Sequence, residues 1–307
     1  MKKGIYLVLI AAVISGLANF FNKFAMQVLD KNAYQYTTLK NIIAALILSL
    51  FILTPMVWLK LKKLNKKDWV GLVLIGLIGG SIPFLLFFKG LSLTSSINAS
   101  FIHKTLFIWV AILAWPILKE KITRLQFLAL GLLLAGNMVF LGFQSFHWGY
   151  AEAIILIATI FWAVESVIAK IILRQVDAIV VAWGRMFFGS IILIGFLVAA
   201  GNTAGLLTVN LGQIGWLMLV SGLLTGYVII WYGALKSLPA TVTTSFLVIA
   251  SPITTFLNSI FVSHQLSNQV IWGTLIILSA VLIYWQSMKE FKNQKLKIKM
   301  IFQKSKF

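Results

Sequence analysis

Ten stretches of apolar residues follow one another along this chain, over 4–28, 37–59, 69–89, 97–118, 125–143, 150–173, 178–200, 212–234, 240–262 and 269–288. Short charged or turn-forming segments separate them. Each is close to the roughly 20 residues that a helix needs to cross hydrocarbon. In lipid, only helices and closed barrels satisfy their own backbone polar groups. Composition points the same way, because 60% of the 307 residues are hydrophobic and 11% are charged. A soluble domain carries about 25% charged residues. These figures exclude a water-soluble enzyme, a disordered chain and a nucleic-acid-binding domain. The chain has no cysteine, which removes disulfides, thiol catalysis and cysteine metal sites. Lys2 and Lys3 precede the first stretch as in a secretory signal. The stretch is too long for one and lacks a small-residue cleavage site, so it reads as a retained helix.

The net charge of +19 is mostly an orientation signal. If the N-terminus is cytoplasmic, nineteen of the 26 lysines and arginines fall in cytoplasmic segments. Lys31 and Lys89 alone fall outside, and five lie within spans. The positive-inside rule therefore predicts cytoplasmic N- and C-termini. Residues 289–307 form a basic cytoplasmic tail in which lysine alternates with apolar residues, as in Lys295-Leu296-Lys297-Ile298. That pattern suits contact with anionic headgroups, making membrane lipid an expected partner.

The two halves of the chain resemble each other. Ala11 to Lys23 aligns with Ala158 to Lys170 without a gap, and the same register pairs Asp30 with Asp177. Lys40 then matches Arg185, and Ser92–Leu118 follows Lys236–Val262. Intramembrane charge is rare, so its recurrence at matched places is informative. Each half holds five spans, an odd number, so the second must enter the membrane from the other side. The expected fold is an all-α integral membrane protein of ten transmembrane helices, built as two inverted five-helix repeats over 4–143 and 150–288. Inverted repeats are common in secondary transporters.

One junction carries a family resemblance. Leu118-Lys119-Glu120-Lys121-Ile122-Thr123, followed by the helix from Leu125 to Gly136, resembles the fourth-to-fifth helix signature of EamA-type domains in the drug/metabolite transporter superfamily. Lys119 stands where glycine is usual. The second copy has His264 in place of the glutamate, and the first has Ser15 where the second keeps a family-like Trp162. The resemblance implies a ten-helix transporter with two EamA domains. It also implies export, and a central cavity lined by spans one, three, four, six, eight and nine.

Charges inside spans are functional candidates because they are costly there. At about 1.5 Å of rise per residue, Lys23 and Lys40 lie near the outer ends of their spans, where lysine can snorkel. By the same rise, His103 and Lys104 sit roughly 10 Å in. Lys104 is therefore expected to face the cavity and attract a substrate's anionic group. Glu165 and Arg185 lie at similar depth on antiparallel spans, which predicts an ion pair. Glu165 is also a candidate for binding a substrate amine or a coupling proton. Lys170 lies near the inner surface and is expected to snorkel. Gly76 with Gly80, and Gly222 with Gly226, place small residues at four-residue spacing, as close helix packing requires.

Aromatic residues with polar neighbours can shape a cavity for an amphipathic solute. Phe84, Trp162, Tyr227 and Trp231 meet that description. Asn19, Asn22, Asn98, Ser245 and Ser251 add polar groups on the spans that the resemblance places around the cavity. Pro252 predicts a kink in the ninth span, because it lacks a backbone donor.

No phosphate loop, catalytic constellation or metal-ligand spacing is present. The chain reads as a secondary transporter, not an enzyme, in the cell inner membrane, with no cofactor and no nucleic-acid partner. It would move small polar or amphipathic metabolites such as amino acids by alternating access. Alternatives are a nucleotide-sugar or organic-anion exchanger, and a lipid-headgroup carrier or scramblase.

Overall fold

The computed structural model describes residues 2–141 and 148–304, with side chains described for 2–139 and 148–288. The described residues form fourteen helices. The first half holds α1 (Lys2–Leu29), α2 (Ala33–Ile52), α3 (Pro55–Lys62), α4 (Lys66–Ile78), α5 (Ile82–Leu93), α6 (Ser96–Lys104), α7 (Leu106–Leu118) and α8 (Arg124–Leu141). The second holds α9 (Tyr150–Ile172), α10 (Ala178–Ala199), α11 (Leu211–Ser237), α12 (Ala240–Leu247), α13 (Ala250–Phe261) and α14 (Asn268–Lys304). Nine helical segments among the described residues are long and apolar enough to cross a membrane. Arg124–Val139 is apolar but shorter, and completes the ten spans.

Ten crossings put the first and last helices at one face of the bundle, called the terminal face below. The helix pairings obey the inverted repeat. The first span (α1) packs on the eighth (α11), and its repeat-mate, the sixth (α9), packs on the third (α5). The second packs on the seventh (α2 on α10), and the fifth on the tenth (α8 on α14). One large apolar core runs through both halves, from Ala12 and Leu48 to Val180 and Tyr232. A smaller core joins α8, α12 and α14.

Local chemistry sets the helix ends. Asn65 and Asn210 each form a reciprocal capping box, with Asp68 and Gln213. The second apolar stretch was expected over 37–59, but its helix starts at Ala33 and ends at Ile52. Pro55 has no amide hydrogen and disfavours helical backbone before it, so the chain breaks there and α3 begins. Lys119 takes the left-handed conformation (φ 56°) as the C-cap of α7, a conformation that favours the glycine usual at this position. Residues 142 and 143, the expected end of the fifth span, lie outside the described residues. The last candidate span is Asn268–Met288, and its helix, α14, continues beyond it to Lys304.

Three spans are interrupted. The third breaks over Gly79–Ser81, ahead of Pro83. The ninth breaks at Val248 and Ile249, near the kink that Pro252 predicts. The fourth breaks at Thr105, which the repeat register aligns with Ile249, and it does so without a proline inside the break.

The two glycine pairs behave differently. A Cβ on Gly76 would sit 2.5 Å from Phe188 Cβ, and one on Gly80 would meet the Arg185 carbonyl. These glycines let the third span touch α10 closely. Gly222 has no neighbour within 4 Å of a built Cβ, and Gly226 has only Ile14 at 3.8 Å. The close packing expected at the second pair is absent.

Candidate functional site

A cavity lies between the two repeats. α1, α5 and the α6–α7 span line it from the first half, and α9 and α11 from the second. α2 and α10 each contribute one residue, Lys40 and Arg185. Those two were the matched charges of the repeat, and the fold brings both to one cavity, each over the Phe84 ring.

Around Arg185 several polar groups are bound to each other, while its Nε is buried without a partner. The break after α4 frees the Gly79 carbonyl, which accepts from Arg185 Nη2 at 3.1 Å and from Trp162 Nε1 at 3.0 Å. A helix C-terminus carries partial negative charge, so the cation is well placed there. Tyr232 Oη donates to Glu165 Oε1 at 2.5 Å and accepts from Arg185 Nη1 at 3.5 Å. Glu165 and Arg185 therefore do not form the direct ion pair that the sequence predicted. A tyrosine stands between them, and the only ion pair among the described residues is Lys60–Asp177. Glu165 and Arg185 are 1% and 4% exposed, so this network works in a low dielectric.

Lys40 has much less around it. It is 2% exposed and does not snorkel, contrary to expectation. Its Nζ donates to Asn22 Oδ1 at 3.1 Å and lies 3.6 Å over the centre of the Phe88 ring. Tyr36 donates to the same Asn22 oxygen at 2.5 Å. An ammonium has three donors, and one accepted hydrogen bond leaves two without an acceptor on the protein. The repeat register pairs Phe88 with Tyr232 and Ala18 with Glu165. The first half thus has the cation of the second, without its hydroxyl and carboxylate.

The sequence profile of the EamA-like transporter family matches this chain twice, over residues 2–142 and 149–286. The chain belongs to the EamA-like transporter family. The chain is 24% identical over 307 aligned residues to an uncharacterized transporter of Clostridium kluyveri, covering 96% of this chain and 97% of that one. It is 25% identical over 145 residues to an uncharacterized transporter of Methanothermobacter thermautotrophicus, covering 45% of this chain and 42% of that one. A crystal structure with 15% sequence identity has the same fold, with a TM-score of 0.73 over 90% of this chain and 94% of that one.

In this EamA-like transporter, eight of the twelve residues singled out from sequence line the cavity: Asn19, Asn22, Phe84, His103, Trp162, Glu165, Tyr227 and Trp231. The aromatic groups form two panels. Phe84 and Trp162 meet edge to face at 5.4 Å, and Tyr227 and Trp231 stack at 5.9 Å. His103 lies between Phe87 and Trp162, its Nδ1 buried without a protein partner. The Asn19 amide nitrogen is likewise buried and unpartnered.

The other four lie elsewhere. Lys104 stands behind the wall, where its Nζ donates to Ser15 Oγ at 3.1 Å, and Ser15 lines the cavity in its place. Asn98 sits in the first turn of α6 beside Thr94. Ser245 bonds back to the Thr241 carbonyl, and Ser251 is buried; no residue of the ninth span lines the cavity. Tyr232, Phe87 and Phe88 were missed. The matched positions of Lys40 and Arg185 were the available signal, since whatever faces them one repeat-turn away on the third and eighth spans must belong to the same site.

Proposed function

We propose that this chain is a secondary transporter for small amphipathic solutes that carry a carboxylate, of which amino acids are the leading class. The observation that carries this reading is Lys40. It is a buried cation on the cavity wall with two donors unanswered by protein, so a bound carboxylate would complete it. Glu165, on the facing repeat, is the complementary group for a solute amine or a coupling proton. The aromatic panels supply the apolar surface that such a solute would bury. The cavity's place between inverted repeats supports alternating access. The concentration of lysine and arginine at the terminal face supports cytoplasmic termini and residence in the inner membrane. Family resemblance alone favours export.

Proteoliposomes loaded with a mixed metabolite pool test the reading, with mass spectrometry identifying what is exchanged. Carboxylate-bearing solutes should exchange through the wild-type protein and cease to do so with Lys40→Met. Exchange confined to neutral or cationic solutes, or unaffected by Lys40→Met, would overturn the carboxylate assignment. Labelled lipid crossing leaflets with no solute exchange would replace the reading with lipid transport.

A further inference from the structure

The turn between the third and fourth spans lies at the face opposite the termini, and the turn between the eighth and ninth lies at the terminal face. Both are held by the same chemistry. Lys23 of α1 donates to the carbonyls of Leu91 (3.0 Å) and Thr94 (3.2 Å) at the end of α5. Lys170 of α9 donates to those of Leu235 (2.6 Å) and Leu238 (2.5 Å) at the end of α11. The repeat register pairs Lys23 with Lys170, Leu91 with Leu235 and Thr94 with Leu238. The last carbonyls of a helix have no partner within it, so each lysine satisfies groups that would otherwise be bare.

The other side of each turn is held by a carboxylate from the opposite half. Glu120, in the loop after α7, accepts from the amides of Ala240 (2.7 Å) and Thr241 (3.0 Å) and from the Thr241 hydroxyl (2.7 Å) at the start of α12. Glu152, in the first turn of α9, accepts from the Thr94 hydroxyl at 2.6 Å, just before α6. The two glutamates are not matched in the repeat register, where Glu120 aligns with His264. They reach equivalent turns from non-equivalent places. Each lysine acts within its own repeat, whereas each glutamate ties one repeat to the other, at opposite faces of the bundle.

We propose that Glu120 and Glu152 are a pair of latches in the transport cycle. Release of Glu120 from the α12 start opens the cavity to the terminal face, and release of Glu152 from Thr94 opens it to the opposite face. Lys170 and Lys23 position the two turns so that the latches can close. If the halves rock against each other about the cavity, bonds that cross between halves at one face must break when that face opens, while those at the other face hold. This inference rests on the transport reading, but its test does not use a solute.

Because the chain has no cysteine, Ala18→Cys puts the only thiol in the cavity. Its labelling by a membrane-impermeant maleimide is followed from each face separately, in intact cells and in inverted vesicles. Lys63→Cys, in a separate protein, marks the terminal face. Glu120→Gln should raise the labelling rate from the terminal face roughly tenfold, as expected for loss of charge-assisted hydrogen bonds, and lower it from the other. Glu152→Gln should do the reverse. If Glu120→Gln does not fold, Lys170→Met loosens the same turn and should shift labelling in the same direction. Any pattern in which the two faces fail to respond in opposite senses overturns the latches. A protein that transports nothing in proteoliposomes yet shows the opposed shifts would refute the solute reading and keep the latches.

Discussion

Lys40 and Arg185 occupy matched positions in the two repeats, face the same cavity, and are buried to nearly the same extent. Their surroundings differ. In the second half Tyr232 and Glu165 build a bridge from the guanidinium to a carboxylate, and the Gly79 carbonyl accepts from it as well. In the first half Phe88 and Ala18 hold those places, and the ammonium has one amide oxygen and the rings of Phe88, Tyr36 and Phe84. Arg185 is tied to both repeats through the Gly79 carbonyl and Tyr232, whereas Lys40 has one hydrogen bond, to Asn22. A symmetric fold can therefore carry an asymmetric site without a change in backbone plan.

The division is most sharply tested by removing each cation. Arg185→Met leaves Glu165 as a buried charge with one hydrogen bond and strips a donor from the Gly79 carbonyl. Breaking a buried charge network from one side costs about 3–5 kcal/mol. Thermal unfolding in detergent should show that loss. Lys40→Met removes a cation that has no carboxylate within ion-pair distance, so stability should hold or rise while solute exchange disappears. Equal destabilisation by the two substitutions would dissolve the distinction between scaffold and site.

The glycines extend the contrast to packing. Gly80→Ala drives a methyl into the Arg185 carbonyl, and because that neighbour is backbone the helices must separate, at about 2–3 kcal/mol. Gly226→Ala, on α11, meets only Ile14 at 3.8 Å. It should be neutral or stabilise by about 0.5–1 kcal/mol through helix propensity. The same unfolding measurement checks both, and a large loss at Gly226 would mean that α11 packs as closely as the third span.

Tyr232→Phe converts the second pocket toward the first, since Phe88 is already its counterpart. Glu165 then loses its hydroxyl donor while buried, at about 1–2 kcal/mol. Transport should persist with a changed pH profile if Glu165 takes up the coupling proton, because the group that bonds the carboxylate is gone. An unchanged profile would remove Glu165 from that role.

The fold was legible because lipid imposes a coarse rule that sequence displays directly: apolar length, charge at the ends, and an odd number of spans per repeat. Where spans break was less legible. Pro252 announced the kink in the ninth span, but the break at Thr105 has no proline and follows from the repeat, which holds the fourth span to the same shape. The site was legible by type of residue and illegible by direction. Lys104 and Lys40 are both intramembrane lysines, and helix rise alone favoured the deeper one for the cavity. Rotation of α6 instead turns Lys104 toward Ser15, and α2 turns Lys40 inward. A depth estimate carries no azimuth, and small differences in helix rotation decide which side chains share a cavity.

The smallest expected effect concerns the aspartates matched between the repeats. Asp30 follows α1 in a left-handed conformation, whereas Asp177 caps α10 through the Ile179 amide at 3.2 Å and pairs with Lys60 at 2.8 Å. Burial alone would raise the Asp177 carboxyl. The Lys60 hydrogen bond, the Ile179 amide and the nearby charges of Lys60 and Lys236 outweigh it and hold the group below the usual carboxylate range. A lowered folded value contributes stability that is present above the unfolded value of about 3.9 and lost as pH falls through the folded one. Both partners are a third or more exposed, so the contribution is at most about 1 kcal/mol. Asp177→Asn should therefore lower the unfolding temperature slightly at pH 7, less so in high salt, and the gap from wild type should close below about pH 4. A gap that persists unchanged in acid would assign the effect to the helix cap, which asparagine also provides, and leave the ion pair without a role in joining α3 to the second half.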